Sequence, residues 1–211
     1  MAESDLVTVA IVSQKGGSGK TTLAVHIATR AAQAGKQSCV VDTDPQASAA
    51  TWSDWRGDFL PVVVTSPPAR LVRTIESAGK QGMDFVVIDT PPHADAAARE
   101  AIKAADIVLI PTRLRAFDLA ALEPIVDLVA LTKTPAFVVF NAVPAGAKRL
   151  VAQAASAAEH LGLAVCPIRL GERAAFHRSS AKGETAAEID PDGKAAEEVE
   201  QLWEWLSGQL A

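Results

Sequence analysis

There is no tyrosine anywhere in the sequence, and there are only two cysteines, two methionines and 5% aromatic residues. An enzyme that signals through a tyrosine-rich tail is therefore excluded. Cys39 and Cys166 each sit alone inside an apolar run without a ligand-type neighbour. That argues against a disulfide, a metal site or an iron-sulfur cluster and predicts two buried small hydrophobes. No uncharged stretch approaches the roughly 20 residues needed to span a bilayer. The acidic start Met1-Ala2-Glu3-Ser4-Asp5 and the short apolar run behind it lack the basic flank of a secretory signal, so the sequence predicts a cytosolic protein. Internal repeats and low-complexity linkers are missing too. What remains, 211 residues with 49% hydrophobic and 21% charged, predicts one domain over 1–211 with a well-buried core.

An overall surplus of positive charge is also lacking: the net charge is −5, which argues against a wholly basic nucleic-acid binder. The average conceals an asymmetry. From 148 to 182 the six bases Lys148, Arg149, Arg169, Arg173, Arg178 and Lys182 face two acids, whereas from 184 onward Lys194 alone opposes eight acids. This predicts a basic face separable from an acidic C-terminal helix.

Short apolar runs alternate with alanine-rich stretches along the chain, the pattern of a parallel sheet covered by helices on both faces. The expected fold is α/β, doubly wound and mostly parallel. Its strands are expected at Leu6–Ser13, Ser38–Asp42, Val62–Thr65, Phe85–Asp89, Ile107–Pro111, Phe137–Asn141 and Ala164–Pro167. Helices are expected over 47–55, 69–81 and 148–160, and in a last helix whose Val199, Leu202, Trp203 and Leu206 recur at helical spacing and should lie on the core. Trp52 and Trp55, three apart, read as packing residues, and Arg70, Arg73 and Lys80 as a solvated helix face. Ligands in such sheets bind beyond the carboxyl ends of the strands, so the residues there are the site candidates.

Beyond the first strand stands Lys15-Gly16-Gly17-Ser18-Gly19-Lys20-Thr21-Thr22, opening an Ala/Leu/Val-rich helix. Glycines let the backbone turn its N–H groups around a phosphate, and the helix start adds the positive end of its dipole. Lys20 would reach the β- and γ-phosphates, Thr21 would ligate Mg²⁺, and Thr22 is left for the α-phosphate. After the second strand, Asp42 and Asp44 are two carboxylates one residue apart, placed to face a nucleotide and its metal. Phe85-Val86-Val87-Ile88-Asp89 is an apolar strand ending in an acid, the Walker B pattern, with Asp89 holding Mg²⁺ through water. His93, nearby, reads as surface and stays outside the site.

A strict P-loop wants glycine where Gln14 stands. With Lys15 opening the motif, the loop resembles the deviant Walker A box of the ParA/MinD superfamily, P-loop NTPases in which the extra lysine crosses a sandwich dimer to the partner's ATP. Asp42-Thr43-Asp44-Pro45-Gln46 matches that family's Asp-x-Asp-Pro-Gln segment, which implies Asp42 near the Mg²⁺ shell and Asp44 orienting the attacking water. Thr90-Pro91-Pro92 looks like its switch segment, and Pro111 to Asp118 resembles the loop lining dimer interface and nucleotide. Asn141 falls where relatives read the adenine edge. The stretch Arg169 to Arg178 resembles the small ParF-like branch. The resemblance implies a slow ATPase using ATP and Mg²⁺, with Lys15, Lys20 and Asp44 as catalytic residues. It also implies an ATP-dependent homodimer that binds duplex DNA non-specifically through the six bases named above and so associates with the nucleoid. A small partner or centromere-binding protein would stimulate hydrolysis and release the dimer, segregating plasmid or chromosomal DNA. Positioning of a protein cargo, a chemoreceptor cluster or a microcompartment, is the alternative. A MinD-like membrane regulator would need a basic amphipathic C-terminus, and the glutamates here would be repelled by anionic lipid.

Overall fold

The computed structural model describes residues 6–93 and 95–210. Seven strands form one sheet: β1 Val7–Ile11, β2 Ser38–Asp42, β3 Val62–Thr65, β4 Phe85–Asp89, β5 Ile107–Thr112, β6 Ala136–Phe140 and β7 Ala164–Val165. The spatial order is β3-β2-β4-β1-β5-β6-β7, and every pairing is parallel. The helices are α1 Lys20–Gln33, α2 Ser48–Arg56, α3 Leu71–Lys80, α4 Asp95–Ala104, α5 Ala116–Ala120, α6 Glu123–Thr132, α7 Lys148–His160, α8 Ala174–Ser180, α9 Ala186–Ile189 and α10 Lys194–Leu210, with a 3₁₀ turn at Pro68–Arg70. Parallel neighbours need long crossovers, and the alanine-rich segments supply them as helices.

Strands β2, β4 and β5 are buried along their whole length, which is why they read as continuous apolar runs without alternation. One face packs Val9, Ile11, Val40 and Phe85 against α1 and α10; the other packs Ala10, Val41, Ile88 and Ile110 against α3, α4, α6 and α7. In α10, Val199, Leu202, Trp203 and Leu206 are all buried, as their spacing predicts, and Trp203 meets the Phe85 ring edge-on at 5.3 Å. Cys39 and Cys166 are buried and free, and burial pushes both thiols up to about 12.

Four expectations need correction. β1 ends at Ile11 and β7 at Val165, although ladder-like bonds run on through Val12 N–H to Leu109 and Cys166 N–H to Val138, so the apolar runs overstate regular strand. The segment Pro111–Asp118 is not all loop, because α5 begins at Ala116. Trp52 is buried, but Trp55 is 57% exposed: three residues is about 300° around a helix, so the two rings diverge by about 60°, and α2 ends one residue later. The acidic segment does not stand free of the fold, and one of its acids meets the basic stretch. Glu198 pairs with Arg173, Glu200 with Arg30 and Glu188 with Arg56, so three of the eight late acids are used to dock the C-terminal segment.

Candidate functional site

β1 lies between β4 and β5, and the chain leaves the sheet in opposite directions on either side of it, which opens a crevice at its carboxyl end. The glycine loop fills that crevice. Gly17 and Gly19 have φ of 71° and 99°, values an L side chain rarely adopts, and a Cβ on Gly19 would run into the Asn141 amide. α1 then starts at Lys20 with no side-chain cap and no acid in its first turn, leaving its N–H groups for an anion. Lys20 is buried, and its Nζ donates to the Lys15 carbonyl at 3.3 Å. Burial lowers its pKa, while Asp89 and Asp44 work in the other direction. Lys15 is half-exposed, and among the described residues no carboxylate pairs with its ammonium.

Three carboxylates gather beside this loop for different local reasons. Asp42 and Asp89 end adjacent strands in matched register. Thr43 ties them further, donating both its N–H and its hydroxyl to the Asp89 carbonyl at 2.9 and 2.8 Å. Asp89 Oδ2 accepts from the Thr21 hydroxyl at 2.6 Å, while Oδ1 is buried with no partner. Burial pushes this carboxyl up to about 7, helped by Asp42 and Asp44 and opposed by the Thr21 hydroxyl and Lys20. A divalent cation would satisfy the orphaned oxygen and favour the carboxylate, so Thr21 and Asp89 fit Mg²⁺. Among the described residues no three ligand side chains form a closed cage, and Mg²⁺ commonly takes one or two carboxylates and completes its shell with phosphate and water. Asp42 spends both oxygens on backbone N–H groups, of Asp44 at 3.0 Å and of Ala49 and Ala50 at 3.0 and 3.2 Å. It thereby aims Asp44 and anchors the start of α2. Asp44 is half-exposed and accepts from the Gln46 N–H at 2.9 Å.

Gln14, the residue that breaks the general P-loop pattern, donates its side-chain amide to Asp95 at 2.5 Å and its carbonyl accepts from His93 N–H at 3.3 Å. The departing side chain thus ties the loop to Asp95 at the start of α4, while the bond to His93 is one any residue's backbone would accept. On the Thr22 side lies a hollow of about 200 Å³ lined by Gly19, Asn141, Arg113, Arg173, Phe176 and His177 among others. Asn141 donates its amide to the Ser18 carbonyl at 2.8 Å and accepts from Ala142 N–H at 2.8 Å. Here it braces the loop that it borders. Arg113, whose Nε is buried without a partner, was not singled out by sequence; its place just beyond β5 was the available signal. The exposed Trp55 faces a second hollow of about 360 Å³ with Thr21, Thr22 and Gln46.

The six candidate DNA contacts fall into separate groups. Lys148, Arg169 and Arg173 border one hollow of about 150 Å³ that also contains Glu198. Arg173 donates to Glu198 at 2.6 Å, and Glu198 also accepts from Gly171 N–H, so this base is committed within the fold. Lys148, Arg149, Arg169, Arg178 and Lys182 are exposed, the last two at and beyond the end of α8.

The chain is similar to known proteins over most of its length. The profile of the CobQ/CobB/MinD/ParA nucleotide binding domain matches residues 9–186. The chain is 29% identical over 213 residues to maintenance of carboxysome distribution protein A of Halothiobacillus neapolitanus, covering 96% of this chain and 97% of that protein. It is 28% identical over 159 residues to the chromosome-partitioning ATPase Soj of Thermus thermophilus, covering 62% and 63%. The structure superimposes on apo McdA of Cyanothece with a TM-score of 0.75 at 17% identity, over 95% of this chain and 99% of that one. On the cell division ATPase MinD of Pyrococcus furiosus the TM-score is 0.76 at 20% identity, over 97% and 99%.

Proposed function

We infer, since the chain belongs to the CobQ/CobB/MinD/ParA nucleotide-binding family of P-loop ATPases, that it is a positioning ATPase which pairs with a second copy across bound ATP and distributes a cargo. The observation that carries this reading is the division of labour between two lysines five residues apart in one loop: Lys20 is buried against its own phosphate cradle, and Lys15 is half-exposed at the loop's rim. The uncapped start of α1 and Lys20 hold the phosphates. Thr21 and Asp89 would hold Mg²⁺, which supplies neutralisation of phosphate charge. Asp44, aimed by Asp42, orients the attacking water; Lys15 reaches toward the second copy. Similarity over nearly the full chain to a protein named for carboxysome distribution supports a protein cargo, a microcompartment, ahead of plasmid DNA. The shorter match to Soj keeps DNA segregation as the second reading.

Non-specific duplex DNA is the surface over which such a dimer would move, held through Lys148, Arg149, Arg169, Arg178 and Lys182, with partner-stimulated hydrolysis as the release step. Light scattering tests the dimer. Lys15→Ala should bind ATP as a monomer and fail to dimerise, whereas a Lys15→Ala protein that dimerises normally with ATP would remove the reason for assigning Lys15 to the partner's site.

A further inference from the structure

The two edges of the sheet differ. β7 is only two residues long, which makes a blunt edge. β3 is Val62-Val63-Val64-Thr65, without charge, proline or bulge, and it pairs only with β2. Among the described residues no backbone or side chain bonds its outer side, and Val62 is 42% exposed. An unprotected apolar edge is a template for another extended chain.

Alongside β3 runs a groove of about 550 Å³ between the strand and α3. Its apolar lining is Cys39, Val62, Val64, Ala78 and Met83, and its cations are Arg70 and Arg73. No acid lines it, and neither guanidinium has a carboxylate partner among the described residues. The edge asks for a β-strand, the floor for apolar side chains on alternate positions, and the rim for carboxylates. Nucleic acid would meet the two arginines but leave the strand edge and the apolar floor unused.

We propose that β3 and the α3 groove form a docking surface for an extended segment of a partner protein that adds as an eighth strand, its alternate, groove-facing positions carrying apolar residues and then acids that meet Arg70 and Arg73. The surface lies away from the phosphate loop and does not depend on the nucleotide reading above.

The probe is an eight-residue fluorescein-labelled peptide whose alternate positions read valine, valine, glutamate, glutamate with threonines between them, titrated into the full chain, with the lysine-for-glutamate peptide as control. The glutamate peptide should raise anisotropy, weaken with salt, and slow amide hydrogen exchange at residues 62–65. Arg70→Glu with Arg73→Glu, and separately Val62→Lys, should each weaken it at least about tenfold while leaving basal ATP turnover unchanged. The proposal is overturned by any of three results: no binding of the glutamate peptide, equal binding of the lysine peptide, or binding without protection at 62–65. Sedimentation showing self-association abolished by Val62→Lys would also overturn it, giving the edge to a second copy.

Discussion

The carboxyl ends of β1, β2 and β4 and the stretch from Lys148 to Leu210 both concentrate charge, but they handle it in opposite ways. At the strand ends charges are gathered and left incompletely paired: Asp89 keeps a buried oxygen without a partner, Lys20 has only a backbone carbonyl, and Lys15 faces out. In the C-terminal stretch three acids are neutralised within the fold, as Glu188, Glu198 and Glu200 take Arg56, Arg173 and Arg30, while five of the six bases stay exposed to solvent. Unpaired buried charge costs stability and persists where something else completes it. Paired charge at half-exposed positions docks one element on another and carries little further meaning. A charge count along the sequence cannot distinguish the two.

Removing the central cation should separate the regions most sharply. Lys20→Ala should weaken ATP binding by about 3 kcal/mol or more, roughly a hundredfold, in calorimetry, without unfolding the chain. A modest loss would mean that the loop's backbone alone carries affinity. Asp44→Ala should keep binding but lower steady-state ATP turnover by roughly a hundredfold and leave an ATP-bound dimer. Turnover at the wild-type rate would move the water-orienting role elsewhere.

His26 joins the two regions. Its Nε2 accepts from the Ala186 N–H at 3.0 Å, so Nδ1 carries the proton and donates to the Thr22 carbonyl at 2.7 Å. Burial lowers its pKa from 6.5 to about 4. The unfolded chain therefore takes up a proton that the folded chain refuses. His26's contribution to stability should be complete above 6.5, fall as pH drops toward 4, and flatten below, an effect of about 3 kcal/mol in all. Denaturant midpoints of wild type and His26→Gln across that window measure it; parallel pH curves would mean that the histidine is not held neutral. Smaller effects should divide the C-terminal bases. Arg173→Glu should cost about 1 kcal/mol through its lost pairing with Glu198, while Arg178→Glu with Lys182→Glu should leave stability alone and reduce the salt slope of DNA binding by about one per base. Equal salt slopes for the two variants would erase the distinction between docking and free bases.

The strand-loop-helix around Lys20, the acids at Asp42 and Asp89, and the buried stripe of α10 were legible because each depends on local spacing or on a run of apolar residues ending at a fixed point. Trp55 and Arg113 were not. Whether an aromatic three residues from a buried one is itself buried depends on where its helix ends, and an arginine after a strand announces nothing until the neighbouring loops surround it.

By itself the sequence determined the chemistry on offer: the phosphate loop's conformational freedom, two lysines, paired acids and a parallel sheet to present them. Only the tertiary structure decided how those groups are used. Asp42 anchors the backbone of Asp44, Ala49 and Ala50, Gln14 ties the glycine loop to Asp95 at the start of α4 and Asn141 braces that loop, while Arg173 is withdrawn from the free basic surface by Glu198, twenty-five residues further along the chain. Hydrogen bonds and ion pairs between distant residues depend on where the sheet and its crossovers bring them, and spacing along the chain does not fix that.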